Sequence, residues 1–158
     1  LQPLGQVGQI VPVQANLRFP ASVHRAAAGA DAVVNLVGIL APSGRQTFSA
    51  VQAEGARAVA EATPPGARLV HVSAIGADAA SKSDYARSKA EGEAAVRAAR
   101  PDAVILRPPV VFGEGDGFLS RFAALARMLP VLPLAGADTL FQPVFVGDVA
   151  EAVARAVD

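Results

Sequence analysis

Short, nearly unbroken apolar runs alternate along this chain with segments in which Ala and Val recur at helical spacing. The runs QIVPV (9–13), DAVVNLVG (31–38), ARLVHVSA (67–74), DAVILRPP (102–109) and TLFQPVFV (139–146) read as strands. Continuous rather than alternating hydrophobicity is the pattern of strands buried on both faces. Between them the spacing predicts helices. One starts at Pro20 and stops at Gly29, one covers 46–63 before Pro64-Pro65-Gly66, and one covers 83–100 before Pro101. Another covers 117–129 after the loop VVFGEGDG, and Asp148 is placed to cap a last helix, VAEAVARAV. Pro in a first turn and Gly or Pro just past a last turn are the expected punctuation. Strand and helix in alternation, with short connections, predict βαβ units: an α/β fold with a doubly wound parallel sheet covered on both faces.

Composition narrows the functional classes. The chain has 158 residues, 52% of them hydrophobic and 18% charged, so it can build a core and is not a disordered segment. Lys+Arg and Asp+Glu both number 14, and this neutral balance without basic runs offers no footprint for nucleic acid. Cysteine is absent, which excludes disulfides and thiolate metal sites and fits a cytoplasmic, reducing compartment. Mean hydropathy is +0.36, yet no apolar run reaches the ~18 residues of a membrane span, so direct membrane insertion is not expected.

In an open parallel sheet, ligands bind beyond the carboxyl ends of the strands. Those ends carry Gly38, Ser73 and Pro108. The helix after Ser73 opens SDYARSKAEGE, and Tyr85, Lys89, Gly92 and Val96 fall on one helical stripe facing the sheet. An ammonium one turn from a phenol favours the phenolate and lowers a pKa that is otherwise near ~10. Ser73 could hydrogen-bond a carbonyl oxygen while Tyr85 transfers a proton and Lys89 holds a ribose. The pair could equally be a binding remnant or a chance spacing on a charged helix. His71 reads as a core histidine, His24 as solvent-facing, and Glu91 with Glu93 as a solvated helix face. Glu114 and Asp116 sit in a flexible GEGDG loop, and no metal site is expected.

Taken together, NLVG (35–38), HVSAIGA (71–77), YARSK (85–89), RPPVVFGEGDGF (107–118) and QPVFVGDVAEAVARAV (142–157) resemble the extended or atypical short-chain dehydrogenase/reductase superfamily. More narrowly, the run from His71 to Gly136 is similar to the nucleotide-binding accessory subunits of respiratory complex I and their bacterial relatives. The resemblance implies a Rossmann-type fold binding NAD or NADP, NADPH being favoured, with Ser73, Tyr85 and Lys89 at the catalytic positions. It implies Asn16 and Leu17 near the adenine, Leu36, Val37 and Gly38 along the middle of the cofactor, and Pro108, Pro109 and Val110 near the nicotinamide, with Tyr85 and Lys89 also gripping it. It further implies complex I subunits as partners, a nucleotide kept for structure, and a place at the inner membrane through those partners. The alternatives are an active reductase, dehydrogenase or epimerase on a sugar-nucleotide, steroid-like or isoprenoid-like substrate, and a scaffold without cofactor.

The pattern departs from the superfamily in one place. Its opening strand, glycine-rich turn and helix, which seat the pyrophosphate, have no counterpart here: Gly5 and Gly8 mimic the spacing, but Val11 and a strand follow. The expectation is therefore a partial Rossmann domain over 1–158 whose residues 139–158 lead toward a substrate domain lying outside this sequence.

Overall fold

The computed structural model describes residues 5–6, 8–117, 126–128 and 139–158. Three strands, β1 (Ala32–Asn35), β2 (Arg68–Val72) and β3 (Val104–Leu106), form a parallel sheet in the order β1-β2-β3. Val34, Val70 and Val104 stand side by side across it, as do Asn35, His71 and Ile105. Helices α1 (Pro20–Ala27), α2 (Glu54–Ala62) and α3 (Asp84–Ala99) supply the rest of the core. Val23, Ala27, Ala56, Val59, Ala60, Leu69 and Val96 meet there, with Leu17, Val33 and Ile105 packed against them. Side chains alternate across a strand, so Leu69, His71 and Ser73 share the face toward these helices. The opposite face is only partly covered among the described residues, since Val34 and Val104 are each 37% exposed.

Local signals explain the helices. Pro20 occupies the first turn of α1, and Gly29, at φ +73°, turns the chain after it in a conformation that costs glycine little. The Ser83 side chain accepts from the Ala86 amide at the start of α3, and Asp84 lies in its first turn, where the helix dipole favours an anion. α2 opens through a π-helical turn, Ser49–Ala53, a widening of the ladder that often marks functional positions.

Three expectations need correction, and a fourth is largely untouched by the described residues. Residues 9–13 form no strand: among the described residues nothing lies alongside to pair with them, Pro12 lacks an amide donor, and Val11 and Val13 stay exposed. VVFG is not simply loop, because β4 (Val111–Phe112) pairs in parallel with β5 (Val144–Phe145), which is all that becomes strand within 139–146. Asp148 does not cap the last helix: α4 (Val146–Val157) begins earlier, at a Phe145 N-cap with no side-chain bond, leaving Asp148 in its first turn. The helix expected over 117–129 lies mostly outside the described residues, of which 126–128 are helical.

The π turn and α3 pack backbone to side. A Cβ placed on Gly92 would sit 2.2 Å from the Gln52 carbonyl oxygen, which belongs to backbone and cannot swing away. Gly92→Ala is therefore expected to destabilise by up to about 2 kcal/mol net: overpacking at ~1–3 kcal/mol, less the ~1 kcal/mol by which Ala outperforms Gly in a helix. Urea denaturation checks it, with Gly76→Ala, which meets nothing within 4 Å, as the neutral control.

Candidate functional site

The carboxyl ends of β1 and β2 and the first turns of α3 converge. Lys89 is 6% exposed, and its Nζ donates to the Val72 carbonyl at 3.5 Å. The same nitrogen would lie 3.2 Å from a Cβ on Gly38, a tight contact, so the absence of a side chain there lets the loop after β1 come close to this ammonium. Ser73 follows β2, its amide bonded to the Leu106 carbonyl at 2.7 Å; the Ile75 amide donates to the Pro108 carbonyl at 3.1 Å. These bonds tie the loop after β2 to the end of β3. Tyr85 is half-buried, its ring edge-on to Phe48 with centroids 5.9 Å apart. The predicted stripe is real: Lys89, Gly92 and Val96 are buried and Tyr85 lies at its upper rim.

The electrostatics differ from expectation in one respect. Burial pushes the Tyr85 phenol up from its ordinary value, and the Lys89 charge is no part of that shift. The lysine is directed at Val72 and Gly38, so the ammonium does not lower the phenol as the helical spacing had led us to expect. Burial lowers the Lys89 pKa, and Glu93 opposes that shift.

Glu93 is the residue that pattern reading missed. It is not on a solvated face but 1% exposed, while Glu91 is exposed as expected. Its carboxylate accepts two hydrogen bonds from Arg107, at 2.8 and 2.7 Å, and one from Arg97 at 3.1 Å. Burial is the largest single influence and pushes this carboxyl up, but the Arg107 hydrogen bonds, Ser73, the Arg107 charge and Arg97 together outweigh it and hold it below the usual carboxylate range. The Ser73 hydroxyl is near enough to favour the anion, yet it forms no hydrogen bond of good geometry. The signal was present in spacing: Glu93 lies four residues beyond Lys89 and eight beyond Tyr85, on their stripe.

His71 is a core histidine, 2% exposed, and His24 is exposed on α1. The Asn35 Oδ1 accepts from the Val37 amide at 3.1 Å, which turns its Nδ2 toward His71 Nδ1, also at 3.1 Å. The amide nitrogen only donates, so Nδ1 accepts and the ring proton sits on Nε2. That nitrogen and Ser73 Oγ are buried without hydrogen-bond partners among the described residues. Burial, then the Lys89 charge, lower the His71 pKa to about 4 against an opposing push from Glu93.

The remaining expected positions are scattered. Asn16 closes the turn into α1, its Oδ1 accepting from the Arg18 amide at 3.0 Å. Leu17 packs on the core beside Gly55. Leu36 and Val37 are 69% and 46% exposed, available to a ligand along the β1 edge. Pro108, Pro109 and Val110 are half-buried at the end of β3. A cleft of about 330 Å³ flanks the outer side of α3, lined by Phe48, Ser49, Asp84, Arg87, Ser88 and Glu91 among others. None of Ser73, Tyr85 and Lys89 lines it. Among the described residues, no helix is long and apolar enough to cross a membrane.

Comparison with known proteins agrees with this fold. Residues 13–158 match the family described as the RmlD substrate binding domain. The chain is 38% identical to the ceramide reductase of Caulobacter vibrioides over 143 residues, covering 90% of this chain and 45% of that protein. It is 36% identical to the rat (Rattus norvegicus) mitochondrial NADH dehydrogenase [ubiquinone] 1 alpha subcomplex subunit 9 over 159 residues, 99% of this chain and 42% of the relative. It thus spans less than half the length of these relatives. Among solved structures, a dTDP-4-dehydrorhamnose reductase from Clostridium acetobutylicum superposes with a TM-score of 0.76 at 21% identity, covering 96% of this chain and 63% of that one. The Bordetella bronchiseptica enzyme WbmG in complex with NAD gives 0.74 at 18% identity, covering 98% and 56%. These likenesses under 25% identity establish the Rossmann-type fold. The chain belongs to the RmlD substrate binding domain family and is a protein of the extended short-chain dehydrogenase/reductase type, related to the complex I subunit.

Proposed function

We propose that this chain is the central part of a nicotinamide-dinucleotide-binding domain with a structural or regulatory role, as an accessory subunit of NADH:quinone oxidoreductase. The observation that carries the reading is the buried Lys89 ammonium, held against the Val72 carbonyl beside Gly38 at the strand ends. A cation in that position suits the hydroxyls of a ribose, and the exposed Leu36 and Val37 suit the body of a dinucleotide. Solved neighbours bound to NAD and to NADP support the class of ligand. The rat and Neurospora crassa complex I subunits, at 36% and 33% identity, support the accessory role. Grip rather than turnover is also favoured by the pair itself. The phenol holds its proton more tightly than usual, and the lysine addresses backbone instead of lowering that barrier. Residues 139–158 then lead into a substrate-type lobe, and the protein lies in the cytoplasm, peripheral to the inner membrane through its partners.

A second reading, an active NAD(P)-dependent reductase, is favoured by the 38% identity to the Caulobacter ceramide reductase and by retention of Ser73, Tyr85 and Lys89. Titrating the full-length protein with NADH and NADPH, followed by nucleotide fluorescence, tests the binding. Lys89→Met is expected to weaken it about tenfold, ~1.4 kcal/mol; unchanged affinity would remove the lysine from the site. Co-purification with membrane-bound NADH:quinone oxidoreductase is the outcome expected of the accessory role. Turnover of a carbonyl substrate that Tyr85→Phe abolishes would instead establish the second reading.

A further inference from the structure

Three segments far apart in sequence meet at one carboxylate. Glu93 sits on α3 one turn beyond Lys89 and is 1% exposed. Arg107, the residue after β3, grips both its oxygens, at 2.8 and 2.7 Å. From β2 and just after it, His71 and Ser73 face the same seam, each with a buried polar atom that finds no hydrogen-bond partner among the described residues. A bidentate guanidinium–carboxylate pair is the most directional ion pair side chains form. Here it pins the residue before Pro108 to the helix that carries Lys89 and Tyr85.

We propose that Glu93 is a positioning residue: clamped by Arg107, it keeps the Lys89 ammonium charged inside the fold and sets the end of β3 against α3 where the nucleotide would lie. The proposal rests on the nucleotide-binding reading for its purpose, though not for its electrostatics. Lys89 is buried, and among the described residues the charged or titratable groups acting on it are Glu93 on its own helix and His71 on β2. His71 is neutral above pH about 4, so Glu93 is the only one that favours the charged amine at neutral pH. Arg97 and Arg107 complete the ring of charge around Glu93 and keep it ionised.

Within this segment Lys82 and Lys89 are the only lysines, and Lys82 is exposed. Isotope labelling of lysine in the full-length protein, with Lys82→Arg and Lys89→Arg each removing one amine signal, assigns both, to be followed by NMR against pH. Glu93→Gln is expected to move the Lys89 titration to lower pH and leave Lys82 in place, while Glu93→Asp, which keeps the charge, largely restores it. In parallel, the ratio of nucleotide Kd at pH 9 to that at pH 7 is expected to rise about threefold in Glu93→Gln, because the amine is lost earlier. An unmoved Lys89 titration in Glu93→Gln overturns the proposal. If the wild type binds no nucleotide, the nucleotide-binding reading fails and the lysine titration still judges Glu93. Should Glu93→Gln not fold, Glu93→Gln/Arg107→Gln removes both charges together and must lower the Lys89 titration in the same way.

Discussion

Replacing Arg107 with Met is expected to destabilise the protein, because it leaves the buried Glu93 carboxylate without its bidentate partner. The two partners are not equivalent. The Arg107 side chain is 46% exposed and returns to water easily, whereas the Glu93 side chain is 1% exposed and cannot. Removing the arginine strands a buried carboxylate with only Arg97 at 3.1 Å, and Arg97 is itself mostly solvated. Glu93→Gln should therefore cost less than Arg107→Met, and the double variant Arg107→Met/Glu93→Met should recover much of the loss. The pH dependence follows with opposite signs. In the wild type the carboxyl lies below its usual value, so its contribution is complete above the ordinary carboxylate pKa and is lost as pH falls through the folded value. In Arg107→Met burial dominates and the carboxyl moves up, so acid relieves the strain and the gap between variant and wild type narrows toward pH 4.5. Urea denaturation at pH 7 and pH 5 reads both effects. A loss under ~1 kcal/mol at pH 7 would mean that the pair is no more than a surface contact.

Below neutrality, His71 is expected to control stability. Its folded pKa is about 4 against an ordinary 6.5, so between those values the unfolded chain binds a proton that the folded chain refuses. Stability is complete above pH ~6.5 and falls as pH drops toward 4. The total is about 3–4 kcal/mol, from a fall of 6.5 to about 4 at ~1.4 kcal/mol per tenfold change in proton affinity. Geometry points the same way, since a second ring proton on Nδ1 would face the donor nitrogen of Asn35. His71→Gln, which still offers Asn35 an acceptor, should flatten the slope between pH 5 and 6.5. A slope that survives the substitution would assign it to another group.

Much of the fold was legible because periodicity is a local property. The strands at 31–38, 67–74 and 102–109 and the helices between them were found in place, each shortened at its ends. The segment 9–13 was misread because a strand needs a partner, and QIVPV carries no information about whether one lies beside it. VVFG was missed for the converse reason: Val111 and Phe112 become strand only because Val144 and Phe145, far along the chain, come alongside.

The candidate site divides along the same line. Residue order placed Ser73, Tyr85 and Lys89 at one sheet edge, since a strand end followed by a helical stripe is a matter of spacing, and spacing is written in the chain. Whether a charge on that stripe is buried, and what it touches, was decided only by folding. Glu93 looked like solvated surface until Arg107 arrived from the end of β3, and the Tyr85 phenol looked activated until burial outweighed a lysine turned toward Val72. Burial and pairing are many-body quantities set by segments distant in sequence, so no window along the chain contains them.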